Sequence, residues 1–120
     1  MMKQVLLDTN FILTCAKQKI DFFEEIPLMG MQILIPEQVI NEVKKLKSKN
    51  VELAFKLLQK NKFKKIDIGS GHVDKSIIKF AKQHPDIVVA TLDRELKKKL
   101  KNQKLIIRGK KKLEIQCIAT

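Results

Sequence analysis

At 120 residues the chain has the length of one domain with room for a single sizeable core. Its hydrophobic fraction of 44% fits a globular protein, and every apolar run falls short of a membrane span. Lysine and arginine number 25 against 13 acids, a net charge of +12 that points to a polyanionic partner, nucleic acid first. The competing reading is a set of solvated lysine faces, since only Arg94 and Arg108 are arginines. The amino-terminus enters strand-like sequence without a signal-peptide pattern, so no membrane partner and a cytoplasmic location are expected. Cys15 and Cys117 form no Cys-x-x-Cys pair, and His72 and His84 are isolated, which disfavours structural zinc and a Cys-His nucleophile.

In chain order, Lys3 to Leu7 reads as a strand whose continuous apolar run suits burial on both faces. It ends on Asp8, and Thr9 to about Lys17 reads as a helix with Ile12, Leu13 and Ala16 on its apolar side. A carboxylate at the end of a buried strand is costly unless it caps a helix, pairs with a cation or binds a metal. Asp21 is placed to cap a short helix through Phe22, Phe23 and Ile26 that stops before Pro27. Gln32 to Ile35 reads as a second strand, and Pro36 suits the turn into a helix from about Glu37 to Lys47. Val39, Ile40, Val43 and Leu46 form the apolar stripe of that helix, and Glu42 lies at its rim, about 80° from the centre at 100° per residue.

A helix over about Val51 to Lys60 follows, with Val51, Ala54, Phe55 and Leu58 inward, then a short strand from Phe63 to Ile68 and a Gly69-Ser70-Gly71 loop. The helix from near Val73 to before Pro85 groups Val73, Ile77, Ile78, Phe80 and Ala81 on one side. Asp74 breaks that pattern by falling inside the apolar arc, so it is expected to be half-buried and in need of a partner. Ile87 to Leu92 is the most strand-like run, buried on both faces, and leads to Asp93 at the start of another helix. That helix carries Leu92, Leu96 and Leu100 at four-residue spacing, a Glu95–Lys99 pair, and Lys97, Lys98 and Lys101 outside. Lys104 to Ile107 reads as a core strand, Arg108 to Lys112 as a basic turn, and Leu113 to Cys117 as a last strand.

Strands alternating with helices indicate an α/β domain over residues 1–120 with a mainly parallel sheet. In such folds ligands bind beyond the carboxyl ends of the strands, near the reversal of strand order. Asp8 and Asp93 stand at strand ends, and Glu42 and Asp74 are within reach of the same edge. Four carboxylates in one cleft repel one another unless divalent cations neutralise them. Hard oxygen ligands suit Mg2+ or Mn2+ rather than zinc. An acidic metal centre within a strongly basic protein suits phosphodiester hydrolysis of a nucleic acid.

The stretches Leu-Leu-Asp8-Thr-Asn10, Val-Ile-Asn-Glu42-Val, Asp74 and Thr91-Leu-Asp93-Arg94-Glu-Leu resemble a PIN domain in motif and order, over almost the whole chain. The resemblance implies a three-layer α/β/α sandwich and a metal-dependent endoribonuclease. It carries the catalytic and metal-binding acids onto Asp8, Glu42, Asp74 and Asp93, with Asp8 and Asp93 central. Asn10 and Thr91 then take the supporting polar positions and orient the carboxylates by hydrogen bonds. The Thr-Leu-Asp-Arg-Glu-Leu-Lys stretch and the later Arg-Gly-Lys are similar to archaeal stand-alone PIN proteins and the ribosomal-RNA-processing branch. VapC-like toxins share the site, but many carry a polar residue where this chain has Leu92. Arg94, Lys97, Lys98, Lys101, Arg108, Lys110, Lys111 and Lys112 are the candidates for contact with the RNA backbone, of ribosomal RNA or its precursor in the first reading. The protein partners to be weighed are a second copy of the chain, an antitoxin and a ribosome-assembly factor.

The non-enzymatic rival is an RNA-binding or ribosome-assembly module whose acids are only helix caps. A receiver domain is disfavoured because the first strand offers one acid and no mid-chain strand ends on a phosphoacceptor Asp. A haloacid-type phosphatase is disfavoured because Asn10 stands where a second Asp is needed.

Overall fold

The computed structural model describes residues 3–109 and 111–116. Lys110 of the basic run and Cys117 of the expected last strand lie outside the described residues. The elements are β1 (Lys3–Leu7), α1 (Thr9–Gln18), α2 (Phe22–Leu28), β2 (Met31–Pro36), α3 (Glu37–Lys45) and α4 (Lys49–Lys60), followed by β3 (Lys64–Ile66), α5 (Val73–Gln83), β4 (Val88–Ala90), α6 (Arg94–Lys99), β5 (Lys104–Arg108) and β6 (Lys112–Gln116). They form one sheet in the order β3-β2-β1-β4-β5-β6, parallel throughout except for β6, which returns antiparallel on β5.

Alternation along the central strands separates two apolar layers. Val5 and Leu7 of β1, with Ile33 and Ile35 of β2 and Val88 and Ala90 of β4, face a core completed by α1 to α4, including Phe11, Ile26, Val43 and Ala54. Leu6, Leu34 and Val89 face the other way, onto Ile77 and Ala81 of α5 and Leu96 of α6. This is the α/β/α sandwich, and it explains why the central strands read as unbroken apolar runs: both of their faces are covered. Among the described residues no helix is long and apolar enough to cross a membrane.

Several boundaries differ from those expected. Helix α2 runs through Pro27 to Leu28, because the loss of one N–H leaves its last turn closed by Met29 N on Glu25 O and Ile26 O at 3.1 and 3.0 Å. Helix α3 stops at Lys45, so Leu46 takes extended backbone, leaves the apolar stripe and is 43% exposed. Helix α4 starts two residues earlier than its first core residue, where Ser48 Oγ accepts from Val51 N at 3.3 Å. Glu95 pairs with Lys98, at 4.0 Å and fully on the surface, where Lys99 was expected. Arg108 and Lys112 are paired strand residues, and Gly109, at φ 64°, and Lys111 lie in the turn between them.

The second helical layer is fastened by Asn102, which is buried between α6 and β5. Its Nδ2 lies 3.2 Å from Ala81 O, 3.1 Å from His84 O and 3.1 Å from Ile87 O, so one amide serves the end of α5 and the entry to β4. Ala81 O and His84 O also accept from the backbone N–H groups of His84 and Ile87, each at 3.2 Å, so removing the amide costs about 1 kcal/mol, the net worth of a buried hydrogen bond. Asn102→Ala is expected to lower the urea midpoint accordingly, and Asn102→Asp to lower it further, since a carboxylate presents acceptors to acceptors. Equal stability of both variants with wild type would contradict this role.

Candidate active site

The strand order reverses between β1 and β4, whose chains continue to opposite faces of the sheet, β1 into α1 and β4 into α6. The backbone stays bonded at that point, with Asp8 N donating to Ala90 O at 3.0 Å. Asp8 therefore emerges at the switch point, where a parallel sheet offers a crevice at its carboxyl edge. The residue is only 4% exposed.

Helix capping accounts poorly for Asp8. Its Oδ1 accepts from the adjacent Thr9 N at 2.7 Å, not from the second or third helical N–H that a capping side chain normally serves. Its Oδ2 accepts from the Thr91 hydroxyl at 2.9 Å, across 83 residues of sequence. Thr91 is itself fully buried, and its Oγ1 accepts from Asp93 N at 3.1 Å. One hydroxyl thus ties the carboxylate after β1 to the loop after β4.

Capping accounts well for one oxygen of Asp93, whose Oδ1 accepts from Glu95 N at 2.9 Å and Leu96 N at 3.3 Å. Oδ2 of Asp93 has no partner among the described residues. Asn10, the other supporting position, is exposed at the start of α1.

Asp74 departs from expectation: it is exposed, not half-buried. The helical wheel puts it in the apolar arc, but α5 runs antiparallel to the strands, and its first turn stands at the end of the sheet rather than over it. Ser76, two residues on, is the buried polar group there. Glu42 is partly buried at the rim of α3, as its angle on the wheel implies.

Burial pushes the Asp8 carboxyl up from 3.8 to about 6, against the lowering effect of the Thr91 and Thr9 hydrogen bonds, and the negative charges of Asp74 and Glu42 push it further up. Asp74 and Glu42 therefore both lie near enough to act on Asp8. Asp93 is joined to the group through Thr91 and lines a cleft of about 430 Å3 with Asn10, Thr14, Lys17 and Asn50, together with Leu13 and Leu92. Glu42 lines a second cleft of about 350 Å3 with Gln38, Asn41, Lys45 and His72.

Among the described residues no three His, Cys, Asp or Glu side chains are grouped closely enough to enclose an ion. The donor set still fits Mg2+ or Mn2+. Mg2+ retains several waters and takes one or two carboxylates directly, and the other acids then act through those waters. A closed cage, as structural zinc requires, is not what these residues form.

Two positioning residues escaped the sequence. Gln38, one turn before Glu42 on α3, donates to Asp67 Oδ1 at 2.6 Å and accepts from Ile68 N at 3.2 Å. Asp67 Oδ1 also accepts from Gly69 N at 2.9 Å, and this bond, followed by that from Gln38, holds the Asp67 carboxyl below the ordinary range. The network joins the helix of Glu42 to the loop that delivers Asp74. The Asp-Ile-Gly triplet was its legible trace, an Asx turn before a glycine at φ 97°.

Of the basic candidates, Arg94, Lys98, Lys101, Lys111 and Lys112 are exposed and Lys97 is partly buried. Arg108 is bonded to Glu114 on the neighbouring strand. Because β5 runs three residues past the Leu105–Ala90 pairing, its hairpin projects about 10 Å beyond the acids' edge of the sheet.

A group whose pKa is raised on folding favours the protonated native state, so its contribution is fully present below pH 4 and lost as pH rises through about 6. For Asp8 the loss is about 3 kcal/mol. The stability of wild type minus that of Asp8→Asn is expected to fall by about this amount between pH 4 and 7 in EDTA, read by urea denaturation. The Thr91 hydroxyl can rotate to accept from the new amide, so the variant keeps its contact. A flat difference across that range would contradict the raised value.

The family model of the PIN-like domain matches residues 5–110. The chain is 33% identical to Ribonuclease VapC4 of Methanocaldococcus jannaschii, over 95% of this chain and 97% of that one. It is 30% identical to the rRNA-processing protein fcf1 of Schizosaccharomyces pombe over 81% of its own length, and spans about half (53%) of that protein. Among solved structures it superposes on the PIN domain endonuclease Utp24 with a TM-score of 0.83 and 26% identity, covering 96% of this chain and 92% of the other. A domain of a functionally unknown M. jannaschii protein shares the fold at a TM-score of 0.61 and 20% identity. With the family model covering nearly all of the chain and the sheet order, the two helical layers and the acidic edge already described, this protein belongs to the PIN-like domain family.

Proposed function

We propose that this protein is a metal-dependent endoribonuclease that hydrolyses RNA phosphodiester bonds at the edge carrying Asp8, Glu42, Asp74 and Asp93. The observation that carries the reading is Asp8: a buried carboxylate, oriented by Thr91 and set among like charges, with no cation among the described residues to compensate it. Such a group costs stability unless it serves a ligand. Its likeness to Ribonuclease VapC4 and to the Utp24 endonuclease supports cleavage of RNA, and the net charge of +12 supports a polyanionic substrate.

In this reading Asp8 and Asp93 hold Mg2+ or Mn2+, and Glu42 and Asp74 complete the site directly or through water. The ion, when bound, supplies an activated water and positive charge against the phosphate oxygens. Thr91 keeps Asp8 in place and Asn10 supports the same edge. The free Oδ2 of Asp93 is its available donor, since Oδ1 is spent on the cap. Arg94, Lys97, Lys98, Lys101, Lys110 and the hairpin lysines Lys111 and Lys112 hold the RNA backbone, while Arg108, engaged with Glu114, contributes less.

Ribosomal RNA or its precursor is the substrate favoured by the likeness to the fcf1 rRNA-processing protein. A second reading, a toxin ribonuclease held by an antitoxin, is favoured by the identity to Ribonuclease VapC4 over nearly the whole of both chains.

The test is cleavage of a mixed structured RNA in Mn2+, in Mg2+ and in EDTA. Wild type is expected to cut with either metal and not in EDTA. Asp8→Asn and Asp93→Asn are expected to abolish cutting while leaving RNA affinity within about twofold, since neither carboxylate attracts RNA. Thr91→Val is expected to cut roughly 10- to 100-fold more slowly, the usual effect of losing a bond that orients a metal ligand. RNA binding without cleavage under any metal would instead support the assembly-module reading.

A further inference from the structure

The cleft that Asp93 lines extends away from the other three acids. Asn10, Leu13, Thr14 and Lys17 recur at helical spacing along one side of α1, so the cleft runs about 10 Å away from the acids along that helix. Its far wall is the first turn of α4, at Asn50, and its near end is Leu92 and Asp93. Leu13 and Leu92 are partly buried and add an apolar surface, while Lys17 is exposed and cationic. Among the described residues nothing partners the side chains of Asn10, Lys17 or Asn50, although they converge on one space of about 430 Å3. Among the described residues Asp93 is the only acid that lines it.

The lining has the chemistry of a nucleotide. An ammonium suits a backbone phosphate, carboxamides both donate and accept toward a base edge or a ribose hydroxyl, and leucines suit the face of a base. We propose that this cleft is a nucleotide subsite that seats the RNA residue next to the scissile phosphate, with Lys17 on the backbone and Asn50 on the base or sugar. The proposal rests on the nuclease reading for its place in the reaction, but not for the binding itself. Lys17 and Asn50 are positioning residues: they hold the strand against the acidic edge and touch no reacting atom.

Fluorescence anisotropy in EDTA, with a short single-stranded oligoribonucleotide across a range of salt, separates the possibilities. Lys17→Ala is expected to reduce the slope of log affinity against log salt by about 0.7, the share of one phosphate contact on a single strand. Asn50→Ala is expected to weaken binding about three- to tenfold at every salt concentration, with no change of slope. Lys62→Ala, ahead of β3 at the opposite edge of the sheet, is expected to stay within about twofold of wild type, having no such contact to lose. The subsite is overturned if wild type does not bind, if Lys17→Ala and Asn50→Ala bind as wild type does, or if Lys62→Ala loses as much as Lys17→Ala. The binding pattern without cleavage in any metal would overturn the nuclease reading and leave the subsite standing. Cleavage with unaltered affinity and KM in both cleft variants would do the reverse.

Discussion

The centre of the acidic edge depends on one hydrogen bond, from the Thr91 hydroxyl to Asp8 Oδ2. It holds a carboxylate where water is nearly excluded, and it does so from a strand that is remote in sequence but adjacent in the sheet. The bond from Asp8 N to Ala90 O fixes the two strand ends at the same level, and the bond from Asp93 N to Thr91 passes the constraint on to α6. The switch in strand order creates the opening, and these three bonds fix what stands in it.

The remaining acids are delivered by the two helical layers. Glu42 comes from α3 on one face and Asp74 from α5 on the other, and neither is held by a bond to Asp8. Their relative placement runs through Gln38 and Asp67, which join α3 to the loop before α5. The centre of the site is thus tied by direct bonds, while its outer acids stand on two helices that are joined through the loop before α5. That suits an ion that keeps part of its water shell, because water-mediated contacts tolerate more positional freedom than direct ones.

Much of this was legible in the residues. Unbroken apolar runs before Asp8 and Asp93 gave doubly covered strands, and the alternation of elements gave the parallel sheet. The rim position of Glu42 followed from its angle on the wheel. Asp74 was misjudged because a helical wheel records direction but not how far along the helix the core extends. Leu46 was misjudged for a related reason, since periodicity continued past the point where the helix stopped. Beyond the Asx turn at Asp67, the Gln38–Asp67 network was not legible, nor was the cleft between α1 and α4, because both join residues about 30 or more apart whose types are unremarkable alone. The basic run at Arg108 was visible as charge, but its pairing with Glu114 depended on strand register.

The opposed charges of the molecule have separate places. Acids occupy the switch point, and lysines flank it on α6, on the β5–β6 hairpin and at Lys17. In the proposed reading a divalent cation reconciles the two when a phosphate approaches. The most direct measurement is therefore thermal unfolding of wild type and Asp8→Asn near neutral pH, with and without Mn2+. Mn2+ at a hundredfold excess over its Kd is expected to raise the wild-type Tm by on the order of 10 °C and to leave the variant nearly unmoved, with the variant the more stable of the two in EDTA. Equal shifts in both proteins, or no shift in either, would contradict a divalent-cation site centred on Asp8.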